Sequence, residues 1–251
     1  MFQIGKELFY SIGQNGKLTQ SNREQFALSL KGTIDFYERE VKDIKVVMVP
    51  EVFALMAGIE KKLLEGGALL LAGSSGNFRR SAVSLMSFKH KFQLLTPLVL
   101  RNPTLRDFNK DMKSFLELAG GQNKKVVLFL EDHQLQKSEF LEKINSLISS
   151  GEVPGLFTPE EVEHVIQEPE QLRVEYPGKS MYECFVERIR KNMVVVVSLD
   201  HRNKSFGQVC SANPAFFSKC RVIWLDCMRA GSLKLYSAQT LTGLPKVDGL
   251  S

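Results

Sequence analysis

Residues 67–81 read Gly-Ala-Leu-Leu-Leu-Ala-Gly-Ser-Ser-Gly-Asn-Phe-Arg-Arg-Ser. An apolar strand leads into a Gly/Ser loop, and the start of a basic, serine-bearing helix follows. Phosphate-binding loops have this arrangement, because backbone N–H groups and a helix N-terminus together hold phosphate oxygens. The stretch therefore predicts an α/β fold in which a phosphate-binding loop follows a buried strand.

The loop departs at three positions from the G-x-x-x-x-G-K-[ST] pattern of P-loop enzymes. Counted from Gly73, Phe78 replaces the second glycine, Arg79 the lysine and Arg80 the Ser/Thr. Phe78 adds bulk where glycine lets the backbone approach phosphate, and a guanidinium is a rigid fork rather than a compact point charge. Arg80 has no hydroxyl for Mg²⁺, and the hydroxyl of Ser81 points elsewhere, about 100° further round the helix. We expect a nucleotide loop that is poorly equipped for hydrolysis, and a plain strand–turn–helix stays open as the alternative.

Composition limits the classes of protein to consider. The 251 residues are 43% hydrophobic and 24% charged, which suffices for one large α/β domain or two small ones. No apolar run is long enough for a membrane span, and the first residues lack the layout of a signal peptide. The basic residues behind the net charge of +5 are scattered, and the four cysteines lack metal-binding spacing. We therefore expect no nucleic acid, no membrane and no zinc site.

Five apolar segments alternate with helical patterns, which predicts parallel βαβ units and a sheet covered on both faces. The predicted strands are 68–72, 92–95, 125–130, 193–199 and 221–225. The predicted helices are 79–89, 104–118, 138–149, 179–191 and 211–219. Earlier in the chain, helices are predicted from a capping box at 21–24 to about residue 40, and over 50–65.

Two segments interrupt the alternation of strands and helices. Residues 151–159 are rich in turn formers and predict a surface insertion, with a short helix beginning near Thr158. Residues 168–178 are charged and contain prolines, which predicts a mobile loop.

The strand at residues 126–130 ends in two carboxylates, Glu131 and Asp132, about fifty residues after the loop. In P-loop ATPases one such carboxylate holds Mg²⁺ and the next polarises the attacking water. This assigns Glu131 to the metal and Asp132 to catalysis, although the usual order is Asp before Glu. Read one residue later, Asp132 takes the metal and His133 the base position. An acidic strand end without catalytic work is the third interpretation.

Asp200 follows the strand 193–199. In ring-forming ATPases the corresponding strand ends in a polar residue, usually Asn, that senses the γ-phosphate. Asp200 is thus a candidate catalytic residue, but its charge repels that phosphate unless Arg79 or Arg80 neutralises it. Capping of a turn is the alternative role.

These elements, in this order, resemble an AAA+ module. Residues 127–134 (Val-Leu-Phe-Leu-Glu-Asp-His-Gln) and 140–157, which contain Asn-Ser-Leu-Ile-Ser-Ser-Gly-Glu-Val-Pro-Gly-Leu-Phe, resemble dynein heavy chains. Residues 213–224 (Asn-Pro-Ala-Phe-Phe-Ser-Lys-Cys-Arg-Val-Ile-Trp) resemble the fourth AAA+ module of that family. The loop and the Glu-Asp-His-Gln run are most similar to heavy chains of the intraflagellar-transport type, cytoplasmic dynein 2. The resemblance covers about residues 45–228.

The resemblance implies a five-stranded parallel sheet of order 5-1-4-3-2 and a binding site for ATP or ADP with Mg²⁺. The implied cofactor-binding residues are Gly73, Ser74, Ser75, Gly76, Asn77, Phe78, Arg79, Arg80 and Ser81. It implies a regulatory or structural part of a minus-end-directed microtubule motor in the cytoplasm, cytoskeleton and cilium or flagellum. The implied partners are neighbouring AAA+ modules, microtubules and dynein subunits. An active ATPase module and a spacer that binds no nucleotide are the alternatives.

The same resemblance divides the chain into a helical lead-in (1–45), a large AAA+ subdomain (46–228) and a tail (229–251) leading toward an absent helical lid. Residues 211–213 (Ser-Ala-Asn) have no basic side chain where the family offers an arginine finger to the adjacent site. We therefore expect little activation of the neighbouring module, weak nucleotide binding and an empty site in the isolated chain.

Overall fold

The computed structural model describes residues 9–12, 18–21, 23–44, 46–98, 103–225 and 228–242. An antiparallel pair is formed by β1 (Phe9–Ile12) and β2 (Leu18–Ser21). One parallel sheet contains β3 (Gly67–Gly73), β4 (Gln93–Leu95), β5 (Val126–Glu131), β6 (Met193–Leu199) and β7 (Cys220–Leu225).

The parallel sheet has the order β4-β5-β6-β3-β7. When the five strands are numbered in chain order from β3 and the sheet is read from β7 to β4, the order is 5-1-4-3-2. The predicted topology is therefore confirmed. Strand β3 lies between β6 and β7, with Leu71 opposite Ser198 and Ile223. Because all five strands run the same way, the segments that follow β3, β5 and β6 meet at one edge of the sheet.

Helices cover both faces of this sheet. They are α1 (Arg23–Glu40), α2 (Pro50–Glu65), α3 (Arg79–Lys89), α4 (Leu105–Leu116), α5 (Ser138–Ser150), α6 (Pro159–Val165), α7 (Pro169–Glu175), α8 (Met181–Asn192), α9 (Phe206–Ala212), α10 (Ala215–Ser218) and α11 (Ala230–Thr242). A π-helical turn (Glu117–Gly121) and a 3₁₀ turn (Asp132–Gln134) complete the list. Within the described ranges, none of the helices has the length and apolar character that crossing a bilayer needs.

The central strands are buried on both faces because successive side chains point to opposite sides. On one side Leu69 and Phe129 pack with α1, α2 and α3. On the other, Leu70 and Leu128 pack with α4, α5 and α8. This explains why the strands are continuously apolar instead of alternating with polar residues.

Three predicted elements were wrong. Residues 168–178 are not a mobile loop: Pro169 starts α7, and Leu172 is fully buried. The single helix predicted over 211–219 is split into α9 and α10, because a residue before proline is disfavoured in the helical region and Asn213 is non-helical before Pro214. The insertion at 151–159 is not simply a surface feature, since Val153 is buried in the core.

The two ends of the chain also differ from expectation in detail. The lead-in contains the pair β1–β2 as well as the predicted helix α1. The proposed capping box at 21–24 includes residue 22, which lies outside the described residues. The tail forms α11, in which the Ser232 hydroxyl donates to the carboxylate of Glu51 at 2.7 Å. The division into three segments stays a prediction.

A buried ion pair joins α2 to the C-terminal end of α3, the helix that follows the loop. Lys89 Nζ donates to Glu60 Oε1 at 2.8 Å, and His90 Nε2 lies 2.8 Å from the same oxygen. Glu60 is completely buried. The cluster therefore holds the helix after the loop against its neighbour.

The loop enters α3 through a strained residue. Phe78 has φ 55° and ψ 17°, a left-handed conformation, and no side chain caps the helix. This conformation costs an ordinary residue about 1–2 kcal/mol. The Phe78 ring makes an edge contact with the ring of Tyr236 in α11, with centroids 5.8 Å apart.

Replacing Glu60 with Gln removes the charge that Lys89 and His90 face. We expect the free energy of unfolding to fall by about 3 kcal/mol, because a buried cation is left uncompensated. Glu187→Gln is the matched control: Glu187 also meets two cations, but its side chain is 32% exposed, so the loss should stay below about 1 kcal/mol. Urea denaturation measures both variants, and equal losses would contradict the structural role of Glu60.

The pH dependence of stability should also report on the ion pair of Glu60 with Lys89 and His90. Burial raises the pKa of Glu60, but the hydrogen bonds from His90 and Lys89 outweigh it, and the pKa lies below its usual 4.5. A lowered native pKa gives stability that is present above the unfolded-state pKa and is lost as pH falls through the native value. Below about pH 4.5 the stability of Glu60→Gln should therefore fall less steeply than that of the parent.

A second pair of variants tests the backbone strain at the loop. Phe78→Gly and Phe78→Ala both lose the ring, so they differ in backbone preference alone. We expect the Gly variant to be more stable by about 1 kcal/mol, since only glycine adopts this φ without cost. At the exposed helical position Glu142 the order should reverse, with Gly about 1 kcal/mol below Ala. Urea midpoints decide, and the same order at both positions would refute the strain.

Candidate nucleotide site

The predicted site residues come together at one edge of the sheet. The loop 74–78 follows β3, Glu131 ends β5, and Asp200 follows β6. Strand pairing places Ala72 opposite Leu199 and Glu131 opposite Ser198. Parallel pairing therefore brings the loop and both acidic strand ends to one place.

The carboxylate of Asp200 lies on the loop itself. The Ser75 backbone N–H and the Ser75 hydroxyl both donate to Asp200 Oδ2, each at 3.3 Å. The other oxygen, Oδ1, accepts from the Arg202 backbone N–H at 2.9 Å, with Arg202 Nε 3.5 Å away. Burial raises the pKa of Asp200, but these hydrogen bonds and the Arg202 charge outweigh it and lower the pKa. The group is an anion held on both of its oxygens.

Arg79 is turned inward, onto the ends of the strands. Its Nη1 donates to the backbone carbonyl of Leu199 at 2.6 Å and lies 3.4 Å from that of Leu71. Burial lowers the pKa of Arg79, and the nearby carboxylates oppose this shift. A guanidinium nevertheless keeps its proton in proteins. Arg79 thus joins β3 to β6, at the position where a P-loop lysine would reach phosphate.

Arg80 makes an ion pair with the candidate metal ligand. Its Nη1 lies 2.5 Å from Glu131 Oε2, and its guanidinium carbon stands 6.0 Å from the centre of the Phe129 ring. The Arg80 side chain is 57% exposed. Arg80 therefore places a positive charge on the carboxylate that was assigned to Mg²⁺.

Asp132 connects two strand ends. Its Oδ2 accepts from the backbone N–H of Asp200 at 2.8 Å. His133, the alternative base, is exposed and lines a crevice beside α4 together with Phe108. Asp132 is thus positioned beside the loop, whereas the ring of His133 belongs to a different surface.

The remaining loop residues form a tight turn. Asn77 Nδ2 donates to Ser74 Oγ at 3.2 Å, and Gly76 has φ 87°. A Cβ added at Gly73 would lie 2.8 Å from Leu225 Cβ in β7, so only glycine fits there. Ser81 lies in the first turn of α3.

Sequence reasoning missed three residues at this edge. Arg202 was missed although its spacing of two residues from Asp200 is typical of a local Asx turn. Gln134 accepts from Glu131 N at 3.0 Å and donates to Pro97 O at 2.8 Å, and its spacing of three residues from Glu131 is the capping-box signal that could have found it. Tyr236 has no local signal, because its contact with the loop is tertiary.

The residues fit a phosphate group but not Mg²⁺ in this arrangement. The donors of Ser75 already converge on a carboxylate oxygen, which shows that the loop accepts an anion. Magnesium needs several oxygen ligands, yet Glu131 is paired with Arg80. Over the described ranges, no group of three or more His, Cys, Asp or Glu side chains is placed to hold a metal ion.

Comparison with known proteins identifies the family. The model of the P-loop containing dynein motor region D4 matches residues 44–242. Cytoplasmic dynein 2 heavy chain 1 of Chlamydomonas reinhardtii is 41% identical over 233 residues, which cover 91% of this chain and 5% of that protein. The Homo sapiens protein of the same name is 37% identical over 222 residues, covering 87% and 5%. A cytoplasmic dynein heavy chain of Dictyostelium discoideum is 28% identical over 227 residues, covering 88% and 5%.

The chain thus spans 5% of the length of these relatives. The expected resemblance to the fourth AAA+ module of dynein is confirmed, with its parallel sheet and its loop after β3. The chain belongs to the family of the P-loop containing dynein motor region D4.

Proposed function

We propose that this chain is a regulatory or structural module of an ATP-driven, minus-end-directed microtubule motor of intraflagellar transport. Its own site binds nucleotide weakly and hydrolyses it little or not at all. The family match and the similarity to proteins named cytoplasmic dynein 2 heavy chain 1 support this assignment. They also support a place in the cytoplasm, on the cytoskeleton and in the cilium or flagellum.

The use of both loop arginines inside the fold carries the proposal. Arg79 binds the Leu199 carbonyl and Arg80 binds Glu131. Hydrolysis needs a cation on the transferred phosphate and a hydroxyl on Mg²⁺, and here neither position supplies them. Because several transition-state contacts are lost together, and one such donor alone is worth about 10²–10³ in rate, turnover should be negligible.

Nucleotide binding can outlast the loss of hydrolysis. The backbone N–H groups of residues 73–81 do not depend on side chains, and a helix N-terminus favours phosphate. A bound nucleotide would supply the negative phosphates that these groups hold. In this proposal Glu131, Asp132 and Asp200 keep the loop in place as structural carboxylates, not as catalysts.

The partners proposed are the neighbouring AAA+ modules of the same heavy chain, with microtubules and dynein subunits reached through the whole motor. Exposed apolar side chains on the edge strand β7 support contact with a neighbouring module, since Trp224 is 50% exposed and Val222 37% exposed. Residues 211–213 carry no basic side chain at the end of α9. The module should therefore contribute packing, but no arginine, to an adjacent site.

A spacer that binds no nucleotide is the second candidate. The contact of Asp200 with Ser75 favours it, because both donors of Ser75 are already satisfied within the protein. The two candidates differ in whether nucleotide competes successfully with this internal contact.

The proposed function predicts no measurable ATP turnover by the chain and only about millimolar affinity, equivalent to about −4 kcal/mol. Restoring the P-loop with Phe78→Gly, Arg79→Lys and Arg80→Thr together should strengthen Mg²⁺–ATP binding at least about tenfold, or about 1.4 kcal/mol. Calorimetric titration with ATP and ADP, with and without Mg²⁺, measures the affinity, and phosphate release measures turnover.

The control changes the same kinds of charge away from the loop. Arg106→Thr with Arg173→Lys alters two exposed arginines and should leave affinity unchanged. Parental turnover that Asp132→Ala abolishes would show a working ATPase. A restored loop that is folded by circular dichroism but binds no better than the parent would favour the spacer.

A further inference from the structure

Two donors of one residue converge on one oxygen of Asp200. The Ser75 N–H and hydroxyl lie 3.3 Å from Asp200 Oδ2, although the residues are 125 positions apart in the chain. Arg202 holds Oδ1 through its backbone N–H. Arg202 therefore fixes the carboxylate so that its other oxygen faces the loop. That oxygen occupies the two Ser75 donors that a phosphate oxygen would otherwise take.

The hydrogen-bonding groups of the two loop arginines are directed away from a phosphate at Ser75. Arg79 Nη1 donates to the Leu199 carbonyl and Arg80 Nη1 to Glu131, and the charge of Arg79 is already shared among three carboxylates, those of Asp132, Asp200 and Glu131. Of the ion pairs within the described residues, Asp200 has one, with Arg202 at 3.5 Å. An added phosphate at Ser75 would meet the charge of Asp200 without a new cation to separate them.

Backbone N–H groups at the start of α3 remain available to bind phosphate. The first hydrogen bond entering α3 runs from Ala82 N to Phe78 O at 2.8 Å. The N–H groups of the residues between them, 79–81, have no partner within the helix, as at every helix start. A diphosphate has enough donors at this end, whereas a third phosphate needs the donors that Asp200 holds.

We infer that Asp200 is a specificity-determining residue of this loop. Its carboxylate acts as an intramolecular anion on Ser75, so the loop accepts a nucleoside diphosphate in preference to a triphosphate. This inference rests on the proposed function, in which the loop holds a nucleotide. It gives the module a preference for the product of hydrolysis without requiring hydrolysis at its own site.

The test compares ADP and ATP binding to the chain and to Asp200→Asn, by NMR titration in EDTA up to millimolar ligand. Asn keeps the size and one acceptor oxygen but removes the charge. We expect the parent to bind ADP more tightly than ATP. In Asp200→Asn the affinity for ATP should rise at least about tenfold and that for ADP less than about threefold, which shifts the ratio in favour of ATP.

Glu139→Gln is the matched control, since it removes an equal charge from an exposed side chain in the first turn of α5 that does not contact Ser75. It should leave the ADP-to-ATP ratio within about threefold of the parent. An equal shift in both variants would overturn the inference, because general electrostatics would then explain the preference.

The outcomes separate the inference from the proposed function. ADP binding with an unchanged ratio in Asp200→Asn overturns the role of Asp200 and leaves the nucleotide module standing. Binding of neither nucleotide by the parent, with ATP binding gained in Asp200→Asn, supports Asp200 as the internal anion and identifies the parent as a spacer. Binding of neither nucleotide by either protein overturns both.

Discussion

The structure depends on the position of β3 between β6 and β7. This pairing places the apolar strand inside the sheet, where helices cover both of its faces, and it sets the loop after Gly73 beside the residues that end β6. Arg79 strengthens the same pairing by binding the Leu199 carbonyl. In a P-loop enzyme the side chain at this position binds phosphate. Here Arg79 hydrogen-bonds to the sheet instead. Packing and site geometry are two results of one strand order.

The loop, Glu131, Asp132 and Asp200 meet at one end of the sheet, and their charged side chains are largely paired within the protein. Arg80 pairs with Glu131, Arg202 with Asp200, and Asp132 accepts from the backbone of Asp200. In an active P-loop enzyme such groups remain free for phosphate and Mg²⁺, and the ligand completes them. Here these groups find partners within the protein itself, and the same contacts help to hold the strand ends together.

Much of the fold was predictable because its signals are local. The five strands, the helix 79–89 and the short helix beginning near Thr158 depend on period, composition and short-range capping. Two of the three errors, at 151–159 and 168–178, arose where tertiary burial decided the outcome. The charged segment around Leu172 forms α7 because that leucine is buried in the core, and a count of charges and prolines contains no such information. The third error had a local cause. Pro214 indicates a break in the helix, but the prediction followed the helical pattern of 211–219 instead.

The sequence by itself determined the α/β class, the strand order through its family resemblance, and that the loop 74–78, Glu131, Asp132 and Asp200 come together at one end of the sheet. It showed that Phe78, Arg79 and Arg80 depart from an active loop, since this requires only residue types and spacing. Only the tertiary structure decided what those residues do instead. The partner of Ser75 is 125 positions away and that of Arg80 is 51 away. Such pairings are selected by sheet geometry and charge among many competing partners, so no local pattern along the chain can specify them.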